Sequence, residues 1–172
     1  MNMKQGFNAF VMLLFVTMAC ERAKPPDQAD ALSHSLAGTW RFTSLVMEST
    51  EGDVFHPYGE NLYGQIMYDA KGHMSVLLMR RNRPRFVSGD IYSGTSEEIR
   101  YAFENFDAYC GTYTIDTEER TVTHRIEGCR FPNWEGTQQK RYYTFSGDTL
   151  TLSATLMAQG KEWTAKAVLV KQ

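Results

Sequence analysis

The sequence lacks the short motifs that mark many catalytic and metal-binding protein families. It contains no Cys-x-x-Cys pair, no Walker loop, no Gly-x-Ser-x-Gly turn and no glycine-rich dinucleotide fingerprint. Its histidines are scattered without metal-ligand spacing, at His34, His56, His73 and His124. These absences predict neither a cofactor nor a metal, and no set of residues can be named catalytic.

The sequence also lacks an excess of either charge. It has 18 Lys and Arg against 20 Asp and Glu residues, a formal net charge of −2. Three residues of each sign precede Gly38, so the rest of the chain carries the same net charge. This balance predicts no nucleic-acid partner and no general attraction to an anionic membrane.

Long apolar runs are lacking apart from one near the N-terminus, at residues 10–18, which is too short to span a bilayer comfortably. A lysine precedes it, and Ala19 and Cys20 follow, which is typical of a signal peptide over residues 1–20. The segment Thr17-Met18-Ala19-Cys20 resembles the lipobox of bacterial lipoproteins, which implies lipidation at Cys20. We expect export to a bacterial cell envelope as a periplasmic or outer-membrane-attached lipoprotein. Simple secretion and a retained anchor are the alternatives.

The next segment, residues 21–35, holds Pro25-Pro26, several small residues and two aspartates. This composition cannot bury enough apolar surface to order itself, so we interpret it as a flexible linker. Residues 36–172 show no second linker and no internal repeat, and their number suits one domain. The membrane would then be reached only through an N-terminal lipid anchor.

The domain is predicted to be all-β. Short alternating runs rich in Tyr, Phe, Thr and Val recur between turn residues. They predict strands at about 39–48, 64–69, 73–80, 109–115, 120–127, 138–145, 148–155 and 163–170. Strands of this number and length suit an eight-stranded antiparallel up-and-down barrel.

One helix is predicted between strands 3 and 4. Thr95 and Glu98 have the spacing of a capping box at its N-terminus. The apolar residues that follow form a stripe at helical spacing: Ile99, Ala102, Phe103 and Phe106. We expect this helix to pack on the barrel.

The lengths of the connections predict two different ends. The even connections are short turns, whereas the odd ones, at 49–63, 81–108, 128–137 and 156–162, are long. Alternate connections of an up-and-down barrel fall at the same end. The short turns therefore form a floor, and the long loops form a mouth suited to binding.

The best-matching segments resemble a known family. They are Leu36-Ala-Gly-Thr-Trp-Arg, Pro57-Tyr-Gly, Gly64-Gln-Ile-Met-Tyr, Gly72-His-Met-Ser, Arg83-Pro-Arg-Phe, Tyr109-Cys-Gly-Thr-Tyr and Phe131-Pro-Asn-Trp-Glu-Gly. Together they resemble the bacterial and fungal lipocalin-like domain family over nearly all of 36–172. The resemblance implies a calycin-type barrel that can take a small-molecule ligand, and it implies no particular reaction.

Strand periodicity predicts which side chains face a ligand. If Trp40 points inward, Phe42, Ser44 and Val46 do so as well, and Leu45 points outward. Tyr109 shares its face with Tyr113 and Ile115, and His124 lies in the inward register with Val122 and Ile126. Leu150 and Leu152 form the inward register of the seventh strand, whereas the third strand is apolar on both faces. His124 either orients a polar group of the ligand or is a core histidine bonded to a tyrosine hydroxyl.

The predicted mouth carries a cluster of arginines: Arg80, Arg81, Arg83 and Arg85. A guanidinium can hold a carboxylate or phosphate through two parallel hydrogen bonds. Arg80 and Arg83 are therefore candidate contacts for an acidic end of a ligand, and Trp134 is a candidate aromatic cap of the mouth. The alternative is that the arginines pair with nearby carboxylates or remain solvated.

Two cysteines remain in the domain, Cys110 and Cys129. Export to an oxidising compartment would favour a disulfide between them. The hairpin register places Cys110 opposite about 125–127, so a bulge near Gly128 would be needed to bring the pair together. Both states, bonded and free, therefore stay open.

The sequence supports two classes of function. The first is a carrier or sensor that holds a small apolar or amphipathic ligand in the barrel. The second is an isomerase, cyclase or hydrolase that uses the same pocket, with His124, Tyr113 or Arg83 as acid, base or anchor. A filled barrel acting as a protein-interaction module is a third possibility. The oligomeric state is left without a prediction.

Overall fold

A computed structural model of the protein describes residues 36–158 and 160–172. The predicted signal peptide (1–20, with Cys20) and linker (21–35) lie outside the described residues. Within the described part of the chain, no helix is long and apolar enough to cross a membrane.

The described residues form nine strands and one α-helix. The strands are β1 (Gly38–Ser49), β2 (Val54–Phe55), β3 (Leu62–Tyr68), β4 (His73–Arg80), β5 (Phe106–Asp116), β6 (Thr121–Cys129), β7 (Gln138–Ser146), β8 (Thr149–Ala158) and β9 (Lys161–Lys171). The α-helix, α1 (Ser96–Glu104), lies between β4 and β5, and a 3-10 helix, Pro132–Trp134, lies between β6 and β7.

The sheet is antiparallel and closed. Its order is β2-β1-β3-β4-β5-β6-β7-β8-β9, and a pairing between β1 and β9 joins the two edges. The two-residue β2 pairs only with the end of β1, so eight strands form the barrel. The predicted fold, an eight-stranded antiparallel barrel with one helix, is confirmed.

The floor of the barrel is closed as predicted by the short turns β3–β4, β5–β6 and β7–β8. The Trp40 side chain is 1% exposed, and its indole Nε1 donates a hydrogen bond to the Leu36 carbonyl, 2.7 Å away. Trp40 also packs against Phe145, with ring centroids 5.8 Å apart. These contacts seal the end of the barrel where β1 begins.

Four long connections were predicted at the mouth, and the prediction is wrong for the fourth, at 156–162. Ala158 pairs with Lys161, so β8 and β9 continue as one hairpin whose connection is only residues 159–160. The sequence 156–162 carries too few turn residues to end a strand early, and cross-strand pairing continues to Ala158 and Lys161. Gly160, whose φ is +74°, lies in the turn between them. The other three mouth connections are long, as expected.

The predicted orientation of β1 is wrong beyond Phe42. The register with β9 shifts between Phe42 and Ser44, which is a β-bulge at Thr43. Phe42 faces Leu169 inside the barrel, but Ser44 pairs with Val168 and lies on the outer face. The inward residues after the bulge are Leu45, which packs on the core, and Met47.

The inward registers predicted for the other strands are confirmed. Val122, His124, Ile126 and Leu150 are each 0% exposed, and Leu152 is 5% exposed. The face of β4, which the sequence left undecided, is settled by the burial of Met74, Val76 and Leu78. The capping box of α1 is also confirmed, with Thr95 N donating to Glu98 Oε2 and Glu98 N donating to Thr95 Oγ1.

The helix α1 lies against the barrel, as expected, but its apolar stripe is not buried. The helix has no buried residue, and Ile99 and Phe103 are 52% and 46% exposed. The helix ends at Glu104, so Phe106 belongs to β5 and cannot extend the stripe. The helix therefore lies over the outer wall at the mouth end with an exposed apolar side.

A second bulge, at Glu127, makes Gly111 indispensable. Gly111 pairs with Ile126 while Cys110 pairs with Gly128, so one extra residue of β6 is accommodated here. A Cβ on Gly111 would lie 2.0 Å from the Arg125 carbonyl oxygen, whereas a Cβ on Gly128 would meet only Cys110 Sγ at 3.8 Å. Overpacking of this kind is resolved only by a shift of backbone.

We predict that Gly111→Ala lowers the free energy of unfolding by about 1–3 kcal/mol. Gly128→Ala is the matched control and should change it by less than about 0.5 kcal/mol. Urea unfolding followed by tryptophan fluorescence measures both. Equal destabilisation by the two variants would show that the close approach at Gly111 is not the cause.

Candidate functional site

Several inward side chains in the mouth half of the barrel, the region called the chamber below, are partly exposed. Ala154 pairs with Ala165, and both continue the inward register of Leu152 and Ala167. Inward side chains of a closed barrel can reach water only through an open end, yet Met47, Ala154 and Ala165 are all partly exposed. Solvent therefore reaches these inward side chains at the mouth end.

Polar side chains occupy the other side of this chamber. Gln139 and Arg141 lie in the inward register of β7 with Tyr143, and both are partly exposed. The Arg141 guanidinium donates to Gln139 Oε1 at 2.7 Å and to the Tyr109 hydroxyl at 3.1 Å. Trp134, on the 3-10 helix, stands edge-on to Tyr109 with centroids 6.3 Å apart. The chamber thus has apolar side chains on one side, and the Arg141 guanidinium and the Trp134 ring on the other.

Arg80 adds a second guanidinium at the mouth. It pairs with the buried Leu62, so its side chain faces inward, and its Nε donates to Asn105 Oδ1 at 2.7 Å. Among the residues that the structure describes, no Asp or Glu oxygen lies within 4.0 Å of the Arg80 or Arg141 guanidinium. Both cations are available to an anionic or hydrogen-bond-accepting ligand.

His124 lies below the chamber in a layer of tyrosines. Its Nε2 is 2.8 Å from the Tyr68 hydroxyl, and its Nδ1 is 3.4 Å from the Tyr109 hydroxyl. The side chain is 0% exposed, and burial, together with the nearby Arg141, lowers the pKa of His124 well below 6.5. The histidine is therefore a neutral member of a buried hydrogen-bonded layer, which fits the core interpretation rather than direct contact with a ligand.

A buried carboxylate supports the mouth near α1. Burial raises the pKa of Asp107, while Arg130, whose Nε lies 3.3 Å from Asp107 Oδ1, opposes that rise. Burial raises the pKa of the Tyr58 hydroxyl, and the nearby Asp107 carboxylate adds to that rise. This group ties the Pro57-Tyr58-Gly59 turn to the start of β5.

A model of the lipocalin-like domain family matches residues 37–172 of this barrel. The chain belongs to that family. It is also 36% identical, over 86 residues, to a protein of Aspergillus oryzae named 4'-hydroxy-3'-methoxypropiophenone carrier protein ppsC. The match covers 46% of this chain and 78% of the fungal protein. A lipocalin-like barrel and a relative named as a carrier support small-molecule binding.

The lipocalin-like domain brings together some of the candidate residues and separates others. Tyr109, Trp134 and Arg80 lie at the mouth, and Phe42 lies inside at 8% exposure. Tyr113 lies at the floor, where its hydroxyl donates to the Asp69 carbonyl at 2.7 Å. Ser44 is on the outer face because of the bulge at Thr43.

Arg80 and Arg83 make different contacts, although both line one cleft beside α1. Arg83 stacks on Phe106, with Cζ 5.3 Å from the ring centroid, and its Nη2 lies 3.2 Å from Met79 Sδ. Phe106 pairs with Met79, and Met79 alternates with the buried Leu78, so both face outward. The Arg80 guanidinium is instead bonded to Asn105.

The two domain cysteines are free. The bulge that the disulfide required exists at Glu127, but it aligns Cys129 with Tyr109 and Cys110 with Gly128. Cys129 packs against the core, whereas Cys110 is exposed on the outer face. The side chains project to opposite sides of the sheet, which rules out a disulfide in this arrangement.

Sequence reasoning missed Arg141, Gln139 and Tyr68. Strand 138–145 was predicted, and the alternation that buries Tyr143 places Arg141 on the same face. That signal was available. The described ranges contain no group of three or more His, Cys, Asp or Glu side chains that could hold a metal ion.

We predict a pH dependence of stability that comes from His124. Below pH 6.5 the unfolded chain binds a proton at this residue, whereas the folded chain does not, so the free energy of unfolding falls as the pH decreases. The slope approaches about 1.4 kcal/mol per pH unit until the pH reaches the folded-state pKa. His124→Gln should remove this component between pH 6.5 and 5, as measured by urea unfolding at each pH.

The control for this measurement is His56→Gln, which changes a partly exposed side chain outside the tyrosine layer. It should keep the wild-type slope. A wild-type slope in His124→Gln, or an equal loss in both variants, would contradict the assignment.

Proposed function

We propose that this lipocalin-like domain carries a small, largely apolar molecule in the mouth half of its barrel. The observation that supports this most directly is the partial exposure of Met47, Ala154 and Ala165 inside a closed sheet. An apolar wall with a few convergent polar groups is the usual make-up of a small-molecule site. The ligand's apolar part would lie along β1, β8 and β9.

The polar end of the ligand would be held by Arg80 or Arg141. Both arginines lie in the inward register of their strands, and neither has a carboxylate within 4.0 Å among the described residues. A carboxylate, phenol or ketone oxygen could accept from them. The cargo in the name of the fungal relative, a methoxypropiophenone with a hydroxyl group, is a small aromatic molecule with oxygen substituents of this kind.

The carrier role is favoured over catalysis by the state of His124. Both ring nitrogens face tyrosine hydroxyls, and burial keeps the ring neutral. Tyr109 and Arg141 stand between this histidine and the chamber. A proton-transfer group would need access to the ligand, which the tyrosine layer denies.

We predict that Ala165→Phe blocks the chamber, because the added ring fills the space beside Ala154. Native mass spectrometry of the protein purified from a cell envelope, with extraction and analysis of small molecules, should show a co-purifying ligand in the wild type. The ligand should be lost in Ala165→Phe. In Arg80→Gln, the affinity for the ligand should fall about tenfold or more, since charge-assisted hydrogen bonds are strong.

The matched control is Thr164→Phe, which places the same ring on the outer face of β9. It should leave binding unchanged. A wild-type protein that arrives empty and admits no apolar probe would overturn the carrier proposal and favour an interaction module.

We propose further that the chain is exported and tethered to the cell envelope through a lipid at Cys20. The support is the composition of residues 1–20 and the lipobox-like Thr17-Met18-Ala19-Cys20. Lipidation anchors a protein without a membrane-spanning segment. The residues 21–35 would then act as the tether.

We predict that Cys20→Ser moves the protein from the detergent phase to the aqueous phase of a Triton X-114 extraction of bacterial cells. Cys110→Ser keeps the N-terminal cysteine and should remain in the detergent phase. An aqueous wild-type protein with an intact barrel would indicate simple secretion instead.

A further inference from the structure

A second cleft lies outside the barrel, on the wall beneath α1. It has a volume of ≈ 930 Å³ and is bounded by the outward residues of β3 and β4, the loop 81–95 and α1. Tyr63 pairs with Met79 at its base, and Tyr63 is 40% exposed. Because this pair faces away from the buried Leu62 and Leu78, the base of the cleft lies on the outer face of the sheet, and Arg80 also lines the cleft.

The cleft carries positive charge that the described residues do not neutralise. Arg81, Arg83 and Arg85 line it, and no carboxylate in the described ranges lies within 4.0 Å of any of the three. An unpaired set of guanidiniums in a concave site attracts an anion.

The two carboxylates that also line the cleft, Asp90 and Glu98, are used by the loop itself. Asp90 accepts from Tyr92 N at 2.9 Å and from Ser93 Oγ at 2.8 Å. Glu98 accepts from Val87 N and Thr95 N, each at 2.8 Å. These bonds shape the loop, and neither carboxylate is paired with an arginine of the cleft.

Two of the arginines are already ordered. Arg83 is held by Met79 Sδ at 3.2 Å and by the stack on Phe106. Arg81 donates through Nε to the Leu62 carbonyl at 3.2 Å, and its Cζ lies 5.0 Å from the Tyr63 ring centroid. Because these side chains are fixed before binding, a ligand would lose less free energy to ordering them.

We propose that this outer cleft is a second binding site, for a small organic anion that carries a carboxylate or phosphate on an apolar body. The acid group pairs with Arg83 and with Arg81 or Arg85. The apolar body lies against Phe86 and Ile91, which also line the cleft, and Ile91 is otherwise 79% exposed. The proposal does not rest on the carrier function, and Arg80, which also lines the cleft, is not among the arginines assigned to the acid group.

The test compares three probes that share one ring system: 2-naphthoate, 2-naphthyl phosphate and the neutral 2-naphthalenemethanol. Titration calorimetry of the full chain gives affinities, and NMR spectra of the arginine Nε–H and isoleucine methyl groups give the location. We expect the two anions to bind, with shifts at Arg83 and Ile91, and to weaken as the salt concentration rises. The neutral probe should bind at least about tenfold more weakly at this cleft, because it cannot form charge-assisted bonds.

The variants separate the two sites. Arg83→Gln should weaken anion binding by about tenfold or more, whereas Arg125→Gln, an exposed arginine on β6 away from the cleft, should not. Ala165→Phe should leave anion binding at the cleft intact, even where it abolishes cargo in the chamber. Anion binding that Ala165→Phe removes and Arg83→Gln spares would overturn this proposal while supporting the carrier.

A lipid headgroup offers the same phosphate chemistry as a free anion. Cosedimentation with vesicles of phosphatidylglycerol and phosphatidylcholine distinguishes the two sources. Binding to such vesicles without binding of 2-naphthyl phosphate would overturn a small-molecule site. The proposal would also be overturned if the neutral probe bound as tightly as the anions, or if Arg125→Gln weakened anion binding as much as Arg83→Gln.

Discussion

The hydrogen bonds between β1 and β9 join the two edges of the sheet, and the arrangement of every other part follows from that closure. Once the sheet is closed, each strand has one face toward a shared interior and one toward water. The bulge at Thr43 lets β1 follow β9 around the curve of the barrel, and it exchanges the faces of the residues that follow. Leu45 and Met47 enter the interior as a result, and they form the β1 side of the chamber.

The interior changes character along the barrel axis. At the floor, Trp40 and its neighbours fill the space completely. In the middle, His124 and the hydroxyls of Tyr68 and Tyr109 form a buried polar layer, which is tolerated because its groups bond to one another. No buried side-chain nitrogen or oxygen among the described residues lacks a partner. This satisfied layer is a base on which the open chamber rests.

The fold could be predicted because its signals are local and repeated. Period-two burial on β6 and β8, the capping box at Thr95 and the short floor turns each specify their own segment. The site was predicted less well, because bulges change register at single residues. Nothing in the sequence around Thr43 or Glu127 distinguishes the bulged residue from its neighbours, and only the pairing partner decides it. Ser44 was therefore placed on the wrong face, and the cysteine pair could not be decided.

The arginine run shows how one stretch of sequence can serve two surfaces. Arg80 is the last residue of β4 and faces inward opposite Leu62, whereas the chain leaves the strand immediately afterwards and turns Arg81 onto Tyr63. Residues that are adjacent in sequence thereby contact different neighbours, although both line the outer cleft. In the chamber, the guanidiniums face an apolar wall with a neutral histidine layer below it, so their positive charge can orient a ligand without a proton-transfer group beside them. In the outer cleft, the guanidiniums stand near exposed apolar side chains. Under the two proposals, the same chemical group would orient cargo in the chamber and recognise a different anion in the cleft.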